Sequence, residues 1–286
     1  MRYRQRVAHT RKLFSALTRR GPHRVLRGDL AFAGMPGVVY SPESGFNLPA
    51  VAFGHDWLAG VERYSQLLEH LASWGIVAAA PDTERGLAPS VLNLAFDLGT
   101  ALDIAVGVRL GPGKISVHPA KLGLVGHGFG GSAAVFAAAG MPGKPKAVAV
   151  IFPAVTAPPA EQPAATLQVP GVVFSTADDA KSLRSNGIEL SRAWDAATLR
   201  VVSKAQPGGL IEGRRLSAMF GLPGAHRKTQ KAVRALLTGY LLYALAGDKT
   251  YREFADPDVQ LPKTDAPDPD ATPLAAGEKV AALLKR

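Results

Sequence analysis

The sequence predicts an α/β domain: a mostly parallel sheet with helices on both faces. Three observations predict it. From about residue 37, short apolar runs alternate with helix-length amphipathic stretches, the pattern of a parallel sheet covered by helices. The chain has 286 residues, enough for one large domain with a sizeable core. In the middle of the series, a strand, a tight glycine turn and a helix follow one another without a break.

The apolar runs that read as strands are Gly37–Tyr40, Ala50–Gly54, Ile76–Pro81, Leu122–Gly126, Ala147–Phe152, Gly171–Ser175 and Leu199–Ser203. Helical patterns fall between them near Val61–Trp74, Val91–Leu110, Gly131–Ala139 and Ser182–Trp194. A long helix is expected at Thr229–Ala246, where Val233, Leu236, Leu237, Tyr240 and Leu241 recur at helical spacing. Residues 29–254 therefore form the expected domain. Beyond it, Ala255–Pro273 is rich in Asp and Pro, buries little apolar surface and reads as a tail, followed by a short helix at Leu274–Arg286.

Residues 1–28 carry nine Lys or Arg and no acid, so the net charge of +10 belongs to this arm. The rest of the chain is nearly balanced, with 24 basic residues against 23 acidic. The arm lacks the apolar region and cleavage site of a secretory signal, so a cytoplasmic protein is expected; the Ala-rich, Lys-poor, Cys-free composition points to a bacterial source. Tyr3, Val7, Phe14 and Leu17 fall on one helical stripe among arginines, which points to an amphipathic helix on an anionic membrane surface. The interleaved aromatics of a nucleic-acid platform are missing, so nucleic acid is not an expected partner. The absence of Cys excludes disulfides, thiol catalysis and thiolate metal sites.

The segment Lys121-Leu-Gly-Leu-Val-Gly-His-Gly-Phe-Gly-Gly131 runs straight into Ser132-Ala-Ala-Val-Phe. Two motifs compete for it. Gly126, Gly128 and Gly131 satisfy a dinucleotide-binding fingerprint, but that motif needs an acid at the end of the next strand, and Val150-Ile-Phe-Pro153 has none. The other is the nucleophile elbow, a strained turn that lifts an attacking side chain above the sheet. Here Gly126-His127-Gly128-Phe129-Gly130-Gly131 resembles the Gly-His-Ser-Met-Gly-Gly of many α/β-hydrolases, with Gly128 where the serine stands.

The resemblance extends along the chain. Leu48–Trp57, Leu67–Asp82 and Leu237–Phe254 are similar to the oxyanion strand, the first helix with its following strand, and the closing helix of α/β-hydrolases in the dienelactone hydrolase, cutinase-type polyesterase and platelet-activating-factor acetylhydrolase group. The resemblance implies an α/β-hydrolase fold and a triad in the order nucleophile, acid, histidine. It places the acid at Asp179, with Asp178 one residue off, and Pro207 where the histidine belongs. It also implies that the backbone amides of Trp57 and Phe129 form an oxyanion site beside His127.

Serine and histidine act as a unit in such triads, and losing either removes on the order of 10⁶ in rate. The expected function is that of a catalytically inactive hydrolase homologue. It would serve as a binding or scaffold protein for an acyl or ester-like ligand or a protein partner, with no cofactor. The alternative is an active hydrolase or acyltransferase in which Asp179 and His226 activate water. His55, Asp56 and His127 raise a metal reading, which adjacency of the first two argues against. Ser132, one turn into the helix, reads as packing rather than as a displaced nucleophile.

Overall fold

The computed structural model describes residues 2–213, 224–274, 278–279 and 281–282. Helix α1 (Arg2–Leu17) leads into β1 (Val25–Asp29), β2 (Gly37–Pro42) and β3 (Gly45–Gly54). Then come α2 (Ser65–Ser73), β4 (Val77–Pro81), α3 (Val91–Gly107), β5 (Ile115–His127) and α4 (Phe129–Gly140). Next are β6 (Ala147–Ile151), α5 (Glu161–Ala164), β7 (Gly171–Ser175), α6 (Gly187–Ala193) and β8 (Ala197–Val202). The described chain closes with α7 (Arg227–Ala244), a 3₁₀ segment at Lys249–Phe254 and β9 (Thr264–Asp265).

The nine strands make one sheet in the order β1-β2-β4-β3-β5-β6-β7-β8-β9. Strands β4 to β8, with β3 between β4 and β5, pair in parallel. Strands β1, β2 and β9 run antiparallel to their neighbours. The parallel strands are buried on both faces, which is why they read as unbroken apolar runs. Val51 and Phe53 of β3 point into one core, with Leu67 and Leu71 of α2 and Leu236 and Tyr240 of α7. Ala50 and Ala52 point into the other, with Leu94 and Leu98 of α3, Val135 of α4 and Trp194 at the end of α6. The sequence thus forms an α/β domain with helices on both faces of a mostly parallel sheet.

Two expected elements take a different form. The basic arm is partly structural: Phe14 and Leu17 of α1 are buried in the first core, and Val25–Asp29 pairs with β2. Tyr3 and Val7, the other members of its expected stripe, lie outside the residues whose side chains are described. The Asp- and Pro-rich stretch after residue 255 lies along the sheet rather than away from it. Arg200 of β8, itself buried, donates from Nη1 to the Val259 carbonyl at 2.7 Å and from Nη2 to the Asp256 carbonyl at 2.5 Å. Thr264 and Asp265 then pair with Val202 and Val201. A segment with little apolar surface is ordered here by backbone pairing and one guanidinium fork, which hydrophobic patterning does not register. Most of the expected helix at Leu274–Arg286 lies outside the described residues. Lys279 is described, fully buried, and pairs with Glu189 while donating to the Ser185 carbonyl at 2.6 Å.

Where α1 ends against α2 and α7, burial and then the Arg234 guanidinium depress the pKa of His70 to about 4, against a weaker raising effect from the Leu17 backbone. A lowered folded pKa means that the native state binds fewer protons than the unfolded chain between pH 6.5 and about 4. Stability is full above that window and falls as pH drops through it. The loss is expected to reach at most about 3 kcal/mol. Urea titrations from pH 7 to pH 4 should show this slope in the native protein and a flatter one in His70→Leu. An equal slope in both would remove His70 as its source.

Candidate functional site

The expected nucleophile turn lies at the carboxyl ends of the parallel strands, the edge where α/β sheets carry their sites. Strand β5 ends at His127, Gly128 turns the chain, and α4 starts at Phe129. Gly128 has φ 53° and ψ −119°. This is the first central position of a mirror-image type II turn, a conformation that glycine reaches without the penalty a Cβ imposes. The apex is fixed from several sides. Its N–H donates to the Ile151 carbonyl at 2.9 Å, and its carbonyl accepts from Gly131 N at 3.0 Å and Ala154 N at 3.1 Å.

The flanking glycines are required by close backbone approach. A Cβ on Gly126 would come within 2.6 Å of Gly131 N, and one on Gly54 within 2.8 Å of the Gly130 carbonyl oxygen. A Cβ on Gly130 would meet the backbone of Gly54 and lie 2.5 Å from the His55 carbonyl oxygen. The end of β3, the turn and the first residues of α4 therefore touch backbone to backbone.

This contact aims two amides at one point. The N–H groups of Trp57, from the loop after β3, and Phe129, at the start of α4, donate to Asp56 Oδ1 at 2.9 and 3.0 Å. The two amides converge on one oxygen, and the acceptor is the chain's own carboxylate. That carboxylate also fills the space above the apex. A Cβ on Gly128 would land on it, with Oδ2 2.9 Å away. Asp56 is half-buried, and its own N–H donates to Tyr64 Oη at 3.1 Å.

His127, beside the apex, is buried with Nδ1 2.8 Å from Tyr64 Oη, its ring edge-on to Tyr64 and Phe152. His55 has Nδ1 3.0 Å from the Asp56 carbonyl and Nε2 2.7 Å from the Thr83 carbonyl, joining the loops after β3 and β4. These bonds turn the two imidazoles to different partners. Among the described residues, no group of three or more His, Cys, Asp or Glu is placed to hold a metal ion. Ser132 is buried and donates to the Ala154 carbonyl at 2.6 Å, a packing contact.

The acid and the histidine candidates are engaged locally. Asp179 is buried, with Oδ2 accepting the Ile188 N–H at 2.9 Å and Oδ1 accepting the Ser185 hydroxyl. It braces the start of α6 rather than a ring nitrogen. Asp178 is exposed on the same turn. Pro207 is exposed and opens a 3₁₀ turn, Pro207–Leu210. His226 packs beside that turn, its N–H donating to the Gly209 carbonyl at 2.8 Å, but its Nδ1 lies 2.7 Å from Thr229 Oγ1. Among the described residues, no hydrogen bond joins His226 to Asp179.

Two residues that sequence reasoning missed shape the site's surroundings. Tyr64 links the Asp56 backbone to His127. Glu212 is buried against the start of α2, accepting from Gln66 N at 3.0 Å, Leu67 N at 3.2 Å and Ser65 Oγ at 3.1 Å. Burial raises its pKa, against those hydrogen bonds and the Arg234 charge. No sequence signal marks either residue, because each acts across a long stretch of chain. A cavity of about 350 Å³, lined by Ala138, Lys146, Thr166 and Pro170 among others, lies at the amino ends of β6 and β7, away from this turn. No described helix is long and apolar enough to cross a membrane. The sequence matches no family model and no curated protein.

Proposed function

We propose that this chain is a catalytically inactive member of the α/β-hydrolase fold that serves as a binding or scaffold protein. The glycine turn between β5 and α4 supports the fold reading, as do two amides placed where that fold draws its oxyanion hole: the residue after the nucleophile and the loop after the third strand. The observation that carries the inactive reading is Asp56 Oδ1 on both amides. A substrate carbonyl needs those donors to hold the negative charge that develops on its oxygen. Here they already hold a carboxylate, and Gly128 has no oxygen with which to attack.

The remaining groups support the same reading. Asp179 spends its carboxylate on Ser185 and Ile188, and the Pro207 side chain can neither accept nor relay a proton. Water activation by Asp179 and His226 would need the two to share a proton path, whereas each bonds a near neighbour. The protein is expected to hydrolyse p-nitrophenyl butyrate no faster than an unrelated control protein. A rate that saturates with substrate and disappears in Asp179→Ala would overturn the inactive reading.

A further inference from the structure

The inactive reading uses Asp56 as an obstacle and leaves unused its role as the ligand of two amides. Serine loss alone would leave two convergent amides open to solvent. Instead, a carboxylate lies on them, supplied from the residue immediately before one of the donors. Two N–H groups on one oxygen, one of them at the start of the twelve-residue helix α4, form an environment suited to an anion. The Phe129 amide lies 73 residues from Asp56 in sequence, so the arrangement is tertiary rather than a local turn.

The glycine and the acid fit one another. The Asp56 carboxylate occupies the volume that a side chain at residue 128 would need. A longer residue at 128 would drive Asp56 off the amides, and Asp56 in place keeps residue 128 a glycine. Trp57 and Leu58, which follow Asp56, are about half exposed at 47% and 53%, so the segment bearing the carboxylate borders solvent. Leu58 also has φ 56°, a left-handed conformation costly for a branched side chain.

We propose that the Trp57 and Phe129 amides form a carboxylate-binding site whose resident ligand is Asp56, and that an external carboxylate competes with Asp56 for it. This deepens the inactive reading and rests on it. The site binds a carboxylate and does no chemistry on it, and the ligand class is a small organic acid or a carboxylate-bearing side chain. Because Asp56 is attached beside the site, its effective concentration there is high, and the native protein favours the closed form.

Acetate is the probe, with sodium chloride at equal ionic strength as the control. In Asp56→Ala, acetate at ten times its Kd is expected to raise the melting temperature by about 3–6 °C over the chloride control. In ¹⁵N spectra the Trp57 and Phe129 amide resonances should move together. The native protein and Asp56→Asn, which keeps an oxygen on both amides, should respond at least tenfold more weakly. If Asp56→Ala folds only in acetate, the external carboxylate has replaced the internal one and the proposal stands. If Asp56→Ala ignores acetate, or stays unfolded in both salts, the proposal is overturned and the inactive reading is untouched. Ester turnover by the native protein would overturn the inactive reading instead, whatever acetate does.

Discussion

Gly130→Ala is expected to leave little or no folded protein. A Cβ there would run into the backbone of Gly54 and lie 2.5 Å from the His55 carbonyl oxygen. Both obstacles are main chain, so no side-chain rotation can relieve them. Overpacking of an ordinary core site costs about 1–3 kcal/mol. Here β3 and α4 must separate, and the parallel pairing of β3 with β5 is disturbed at Gly54 and Gly126. The cost is expected to exceed that range and to consume much of the roughly 5–15 kcal/mol by which a domain is stable. Gly140→Ala, where an added Cβ meets nothing within 4 Å, is the matched control and should be silent. The measurement is soluble yield with circular dichroism. A cooperative Gly130→Ala within about 1 kcal/mol of the native protein would show that β3 and α4 can part here at little cost.

Deleting residues 1–28 is the second change expected to be severe. A basic arm suggests a dispensable appendage, but this one delivers Phe14 and Leu17 to a core shared with α2 and α7. Each fully buried side chain of that size contributes about 1.5–3 kcal/mol. The deletion also strips β2 of its pairing from Pro42 to Val39. A loss of at least about 5 kcal/mol is expected, read as aggregation on expression or a collapsed urea midpoint. Deleting residues 1–8 leaves Thr10, Phe14 and Leu17 in place and should change the midpoint little. A stable protein lacking residues 1–28 would show that α1 and β1 are additions to a core complete without them. An anionic-membrane role for the arm therefore has to be examined by neutralising exposed charges such as Arg11, Lys12 and Arg19, not by truncation.

The parallel strands were legible because burial on both faces leaves no room for polar residues. Val77–Pro81 and Ala147–Ile151 could hardly be read otherwise. Strand β1, with the sequence Val-Leu-Arg-Gly-Asp, and the two-residue β9 were not legible. Their place in the sheet comes from backbone hydrogen bonds, to which side-chain pattern is blind. Within the site, the glycine spacing marked the turn, and the family resemblance pointed to the amides of Trp57 and Phe129, which need no particular side chain. What occupied them could not be read. Asp56 stood in view as a doubtful metal ligand between His55 and Trp57, and its partner Phe129 lies 73 residues away. An acid next to a donor amide, paired with a glycine at the apex, was the available signal. The fates of Asp179 and His226 were hidden for a similar reason: each met a competing partner, Ser185 or Thr229, whose hydroxyl carries no mark in sequence.

The two flanks of the sheet have a bearing on how the protein behaves in crowded solution. A sheet built of parallel strands ends, on each side, in a row of unpaired N–H and C=O groups that any other extended chain can use as a template. Here β2 pairs with β4 and β9 with the end of β8, both antiparallel, and the strands left outermost, β1 and β9, are poor templates. The outer strand on one side carries Arg27 and Asp29, and the other is two residues long between Pro262 and Pro267. The least apolar parts of the fold thus act as selvedges: they hem a sheet whose interior strands would otherwise bind their own kind.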